Sequence, residues 1–286
     1  MMFAKSAADV EQFGEASGLE VTARSDRNYG EMRSLKVREP ADSPKLKLLI
    51  RALEERYGIK PSKWFIVPNE LEDQYFGVRI EREFSDNQIE YSKYLRLIAT
   101  RFQIGSHSRR ETPEDETYYV ENDGKQGTKV DFGFISPFPA IGLSHKLKEQ
   151  IEAYSLKAIR FEPIVVRRKD GKAPRKQLWK IYSDITLPRS CCRYIDANGQ
   201  VKDPYDDWSY KWECAYFDDA GHVPVALSYD RKDIEGVEPF DIAMTAEKTG
   251  NGPFISFRHT IVSQRFRQMM NDLKVKGVGY HPVVLK

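Results

Sequence analysis

Three carboxylates and four aromatic side chains crowd into one short stretch of this chain: Asp203-Pro204-Tyr205-Asp206-Asp207-Trp208-Ser209-Tyr210-Lys211-Trp212. Carboxylates suit a hard divalent cation or a basic partner, and Trp and Tyr carry much of the energy of protein interfaces. Asp203, Tyr205, Asp206, Asp207 and Trp208 are therefore the candidate partner-binding residues. If Asp203, Asp206 and Asp207 converged in a cleft, they could instead serve a metal-dependent hydrolase or nuclease. The same stretch alternates Trp208, Tyr210 and Trp212, which in a strand would place all three on one face.

Other chemistry is sparse. Cys191, Cys192, Cys214 and His222 include soft ligands, but no pair stands at the spacing of a structural zinc site, and buried thiols are the simpler expectation. His145 and His259 stand singly. There is no nucleophile elbow, no zincin motif, no Walker-type loop and no dinucleotide fingerprint. Gly250-Asn251-Gly252-Pro253 has turn composition. The basic run from Arg167 to Lys176 lacks the interleaved aromatics on which bases stack, so it suits a solvated connection better than a nucleic-acid site. No catalytic residue, metal or cofactor is expected.

Composition narrows the class. The 286 residues hold 45 Lys and Arg against 43 Asp and Glu, a net charge of +2, so no global field recruits nucleic acid or a membrane. Hydrophobic residues make up 40%, ample for one large or two ordinary domains. The opening residues, MMFAKSAADVEQF, have no signal-peptide core, and no stretch approaches the ~20 apolar residues of a spanning helix. Three irregularly spaced cysteines do not make a disulfide framework. A cytoplasmic protein is expected.

These residues need elements to position them. Residues 1–40 suit strands and turns. Ser43-Pro44 caps a helix with Leu46, Leu49, Ile50, Leu53 and Tyr57 on one stripe and Gly58 at its end. Strands are expected at Lys63–Val67, Tyr75–Ile80 and Leu178–Leu187. Residues 91–102 fit a helix or a strand. Residues 105–127 read as a polar loop interrupted by a short strand at Tyr118–Val120.

An internal repeat organises the rest. Ser144-His145-Lys146-Leu147-Lys148, Ile151 and Leu156 to Val165 recur as Ser263-Gln264-Arg265-Phe266-Arg267, Met270 and Val275 to Val284, at one constant offset (144 to 263, 163 to 282). Residue class matches throughout: Leu147 with Phe266, Ile151 with Met270, Ile159 with Val278, Phe161 with Tyr280. Upstream, Phe134-Ile135-Ser136 recurs as Phe254-Ile255-Ser256, one position out of step. In each copy a serine caps a short helix with an i, i+4 apolar stripe, and an alternating strand follows. Pro163 and Pro282 mark a sheet edge or a strand's exit. The expected fold is α+β, two diverged halves of mainly antiparallel strands, each with a short capped helix followed by a strand. Residues 1–168 form one half, 169–176 a basic linker, and 177–286 the half that repeats the unit.

The blocks Ile261-Val262-Ser263-Gln264-Arg265-Phe266 and Lys276-Gly277-Val278-Gly279-Tyr280-His281-Pro282-Val283, with their first copy at Leu143–Leu147 and Lys157–Ile164, resemble the tail unit of bacterial immunity proteins from polymorphic toxin systems. The likeness is to the double-CxxCG immunity-like group, although both CxxCG motifs are missing here, so no zinc carries over. It leaves the N-terminal stretch, up to Val130, unassigned. The resemblance implies a non-catalytic protein that binds and neutralises a cognate toxin. It transfers no binding residue, because the shared unit looks like framework, and it leaves the toxin and the oligomeric state open.

Overall fold

A computed structural model describes residues 2–4, 21–26, 30–35, 77–78, 84–100, 103–105, 107–109, 119–122, 130–135, 140–168, 177–191, 194–195, 201–202, 226–249 and 257–286. The helix expected from Ser43 and the strand expected at Lys63–Val67 lie outside these residues. The fold is α+β, built of short helices and mostly antiparallel strands. Among the described residues, no helix is long and apolar enough to cross a membrane.

The first compact unit holds β1 (Met2–Ala4), β2 (Val21–Asp26), β3 (Gly30–Leu35) and β4 (Gly77–Val78), in the order β2-β3-β1-β4. β2 and β3 form a hairpin from Val21↔Leu35 to Asp26↔Gly30.

The second unit opens with α1 (Asp86–Tyr91) and β5 (Tyr94–Ala99), so that, of the stretch 91–102 left open between helix and strand, the described part is mainly strand. Ser85 and Gln88 form a reciprocal capping box at the start of α1, and the chain turns extended at Ser92. Next come β6 (Gln103–Gly105), β7 (His107–Arg109), β8 (Tyr119–Asn122), β9 (Phe132–Ile135) and β10 (Ala140–Ser144). One of these strands, β7, falls wholly in the stretch read from sequence as loop, and β6 ends at its first residue, Gly105. Then follow α2 (His145–Glu152), β11 (Arg160–Arg168) and β12 (Leu178–Tyr182). The small pair β13 (Tyr194–Ile195) and β14 (Val201–Lys202) belongs to the first unit. The second unit resumes with β15 (Ser228–Tyr229), α3 (Arg231–Glu235), β16 (Ile242–Thr249), β17 (Phe257–Ser263), α4 (Gln264–Asp272) and β18 (Val278–Leu285). Its two sheets run β6-β9-β10-β12-β11-β8-β7 and β15-β18-β5-β17-β16.

The repeat is written into the backbone. Ser144 and Ser263 both cap their helices in extended conformation, each hydroxyl accepting an amide at 3.2 Å, from Leu147 and Phe266 respectively. Each hydroxyl also donates to an aspartate: Ser144 to Asp131 at 2.7 Å, Ser263 to Asp241 at 2.6 Å. The same aspartates accept the serine backbone N–H through their carbonyls, at 2.9 and 3.0 Å. After each helix the chain turns through left-handed residues at matching places, Ser155 (φ 49) with Lys274 (φ 52), and Ala158 (φ 61) with Gly277 (φ 83).

Each copy is a strand-helix-strand unit with a gap in its sheet. β10 and β11 both run antiparallel to β12, which lies between them, and β17 and β18 both run antiparallel to β5. The registers agree position by position. Leu178 faces Ser144 and Ile164, as Tyr94 faces Ser263 and Val283; Trp179 faces Leu143 and Pro163, as Leu95 faces Val262 and Pro282. So β5 and β12 are equivalents, Tyr94 matching Leu178 and Leu95 matching Trp179, and each fills the gap in the other copy. Their continuations return to their own copies. β6 pairs in parallel with β9 at Gln103↔Phe134, and Thr186 bridges in parallel to Met244 of β16.

That register corrects one expectation. Phe134 faces Ile141 as Met244 faces Thr260, so the equivalent of Phe134 is Met244 and the Phe-Ile-Ser match is coincidental. Pro163 and Pro282 sit inside strands paired on one side, each two positions before a parallel strand joins the other side, at Val165↔Tyr119 and Ser228↔Val284. Val284 N–H and Lys286 N–H point toward β15, so the missing donor of Pro282 faces the side that is still open.

One core serves both copies. Leu143, Leu147, Ile151, Phe132 and Ile181 from the first sheet and its helix join Leu95, Leu97, Ile242, Val262, Phe266 and Met270 in a continuous buried cluster. Asp241 bolts the copies together. It is buried, its Oδ2 accepts Lys157 N–H at 2.8 Å, and its own N–H donates to the Lys157 carbonyl at 3.0 Å.

Candidate interaction surface

Helix spacing brings His145 and Lys148 to one side of α2, and β12 and β11 supply Trp179 and Phe161 beside them. The Trp179 indole N–H donates to His145 Nδ1 at 3.1 Å, and the two rings stack with centroids 5.9 Å apart. With Nδ1 as acceptor, a neutral His145 carries its proton on Nε2, which lies 3.4 Å from Glu149 Oε1. Lys148 Nζ stands 4.7 Å above the Trp179 ring and 5.4 Å from that of Phe161, while bonded to Glu152 at 2.7 Å. His145 is 54% exposed. The result is a partly exposed cluster of aromatic rings around one cation, Lys148, the composition that anchors interfaces.

The second copy shows what this face does when it is occupied. Gln264 replaces His145, Arg267 replaces Lys148, Tyr280 replaces Phe161 and Leu95 replaces Trp179. Gln264 Nε2 donates to the carbonyls of Ile89 and Ser92, each at 2.6 Å, and so clasps the last turn of α1. Arg267 Nη1 donates to the Gln264 side-chain oxygen, Oε1, at 3.2 Å. Carbonyls at a helix C-terminus lack intrahelical partners, which is why an amide donor fits there. Ile89 of that helix packs against the core.

A second cluster lies on the other face of the β5 sheet. Arg96 Nη2 donates to His281 Nδ1 at 2.7 Å, and Phe84 packs on the imidazole with centroids 4.9 Å apart. Arginine has no acceptor, so His281 must be neutral in this bond. Burial first, and then Arg96, pushes its pKa down to about 4. Burial, Arg96 and His281 hold His259 well below the usual range too. Bases this weak are poor proton acceptors near neutrality, which suits framework better than general-base chemistry. The matching rung of the first sheet is an ordinary ion pair, Lys180 to Glu162 at 3.1 Å.

Asp203, Tyr205, Asp206, Asp207 and Trp208 lie outside the described residues, as do Cys192, Cys214 and His222. Cys191 is a free, exposed thiol. Among the described residues, no three His, Cys, Asp or Glu side chains gather where one ion could sit. His145 and His259 occupy unmatched places, their equivalents by spacing being Gln264 and Ala140. The cluster around Trp179 escapes a reading of the chain because its members come from three elements. The only local signal is the i, i+3 spacing of His145 and Lys148. Neither any known family model nor any curated protein matches the chain.

Proposed function

We propose that the chain is a cytoplasmic immunity protein, which binds a cognate bacterial toxin and neutralises it by direct occlusion. The likeness of its repeated block to the tail of such proteins supports the class. The observation that carries a binding role is the pairing of one occupied face with one partly exposed face. The second copy uses its helix face to clasp α1, while the first presents Trp179, His145 and Lys148 at the same place. An interface of ordinary size buries on the order of 1,600 Å² and centres on a few aromatic anchors. The acidic and aromatic stretch Asp203, Tyr205, Asp206, Asp207 and Trp208 is the candidate second patch, its carboxylates complementing the basic groove of a nuclease-type toxin.

The test is co-expression with the toxin domain encoded beside this chain, followed by calorimetric titration of the purified pair. Growth should be restored and a stable complex should form. Replacing Asp203, Asp206 and Asp207 together by alanine, or combining His145→Ala with Lys148→Ala, should weaken binding at least about tenfold, or ~1.4 kcal/mol. Absence of both rescue and complex would refute the immunity role. Unchanged affinity in a variant removes only that patch. Heat released on titrating the protein alone with magnesium or manganese would favour a metal-dependent hydrolase instead.

A further inference from the structure

A strand-helix-strand unit whose two strands are parallel and one strand-width apart cannot complete its own sheet. Between β10 and β11, and between β17 and β18, the inward-facing backbone groups need an antiparallel strand from elsewhere. That strand must alternate in a defined way. On the core side it needs large apolar residues: Leu95 and Leu97 in one case, Trp179 and Ile181 in the other. On the opposite side it brings a cation to the same rung, Arg96 beside His281 or Lys180 beside Glu162. Each copy therefore holds a slot of definite chemistry, and each also carries a strand that fits the other's slot in the same register.

We propose that the two copies recognise one another as separate chains would, by reciprocal strand insertion, and that the peptide link through 169–176 is not needed to hold them together. The inference is independent of any toxin-binding role. Three features support it. Both slots are filled from the opposite copy, a reciprocal exchange that a tandem repeat of self-sufficient domains has no reason to adopt. Beyond each inserted strand the chain returns to its own copy, β6 pairing in parallel with β9 and Thr186 bridging to Met244, so each insert reaches out of its copy and comes back to it. The two copies share a single core, and Asp241 of one is bonded through both side chain and backbone to Lys157 of the other. A covalent link then only raises the effective concentration of one partner for the other.

The experiment encodes the whole sequence as two co-expressed pieces, 1–172 and 173–286, with an affinity tag on one and the intact chain as control. The pieces should co-purify in equal amounts as a particle of about 33.1 kDa with the dichroism of the intact protein. Their urea midpoint should rise with protein concentration, whereas that of the intact chain should not. β13 and β14 also join the first compact unit, so a second variant isolates the strand insertion. Ile181→Lys, at a position only 2% exposed in β12, should weaken the association of the pieces at least tenfold. Pieces that fail to co-purify, or that precipitate while the intact chain stays soluble, overturn the proposal. So does undiminished association of the Ile181→Lys pieces.

Discussion

Ser144 and Ser263 each use one hydroxyl twice, accepting from the helix and donating to an aspartate that also receives the serine's backbone N–H. A capping hydroxyl contributes about 1 kcal/mol, and a hydrogen bond to a charged group about as much again or more. The two copies differ more at the turn that follows. Ala158 adopts φ 61, a region that costs a residue with a Cβ roughly 1–2 kcal/mol, while its counterpart Gly277 adopts φ 83 without that penalty. Ala158→Gly should therefore leave stability level or raise it by up to about 1 kcal/mol, because the relieved strain is offset by greater freedom in the unfolded chain. Gly277→Ala should lower it by about 1 kcal/mol or more, and urea denaturation of the two variants reads the difference. A destabilised Ala158→Gly would contradict the equivalence of the two turns. At His281 the folded-state pKa of about 4 lies below the ordinary 6.5, so the unfolded chain binds the extra proton first as pH falls. Stability should be fully present above pH 6.5 and decline toward about pH 4, by on the order of 2 kcal/mol for this partly exposed ring. His259 acts in the same direction. His281→Gln, which keeps an acceptor for Arg96, should show a shallower decline in thermal melts across that window. An unchanged slope would mean that another group carries it.

Among the elements, the two repeat helices were the most legible, whereas α1 and α3 were not read from the sequence. A serine cap followed by Leu147 and Ile151, or by Phe266 and Met270, leaves a local signal within one turn, and α2 and α4 begin where it says. The strand pairing was not legible, for a physical reason. The inserted strands correspond from Tyr94 to Leu178, whereas the helix caps correspond from Ser144 to Ser263, a much wider spacing. They are therefore out of phase with the units they complete. Their resemblance is one of class alone, Leu95 and Leu97 against Trp179 and Ile181. Phe-Ile-Ser, by contrast, is an identity of three side chains that the register shows to be accidental. Residues 91–102 fitted two periodicities because a helix end and a strand start share them, with Tyr91 closing α1 and Tyr94 opening β5. The surface around Trp179 was illegible for a related reason. Strand alternation marks the indole as core, and only the hydrogen bond to His145 and the cation above the ring bring it into a surface cluster.

For the molecule as a whole, the two sheets of the second unit are one cooperative object and not beads on a chain. The slot-filling strands are the members on which this depends, because β5 is the central neighbour of β17 and β18, and β12 that of β10 and β11. Local unfolding elsewhere leaves such strands paired, so their amides open only when the unit opens globally. Native-state amide hydrogen exchange is the most direct probe of this arrangement. Amides of β5 and β12 that face their antiparallel neighbours should be among the slowest in the chain. They should exchange with one common free energy, equal to that of global unfolding, although Tyr94 and Leu178 lie far apart in the sequence. If β5 instead exchanges early and independently while β12 stays protected, the copies do not interlock, and the shared framework described here is wrong.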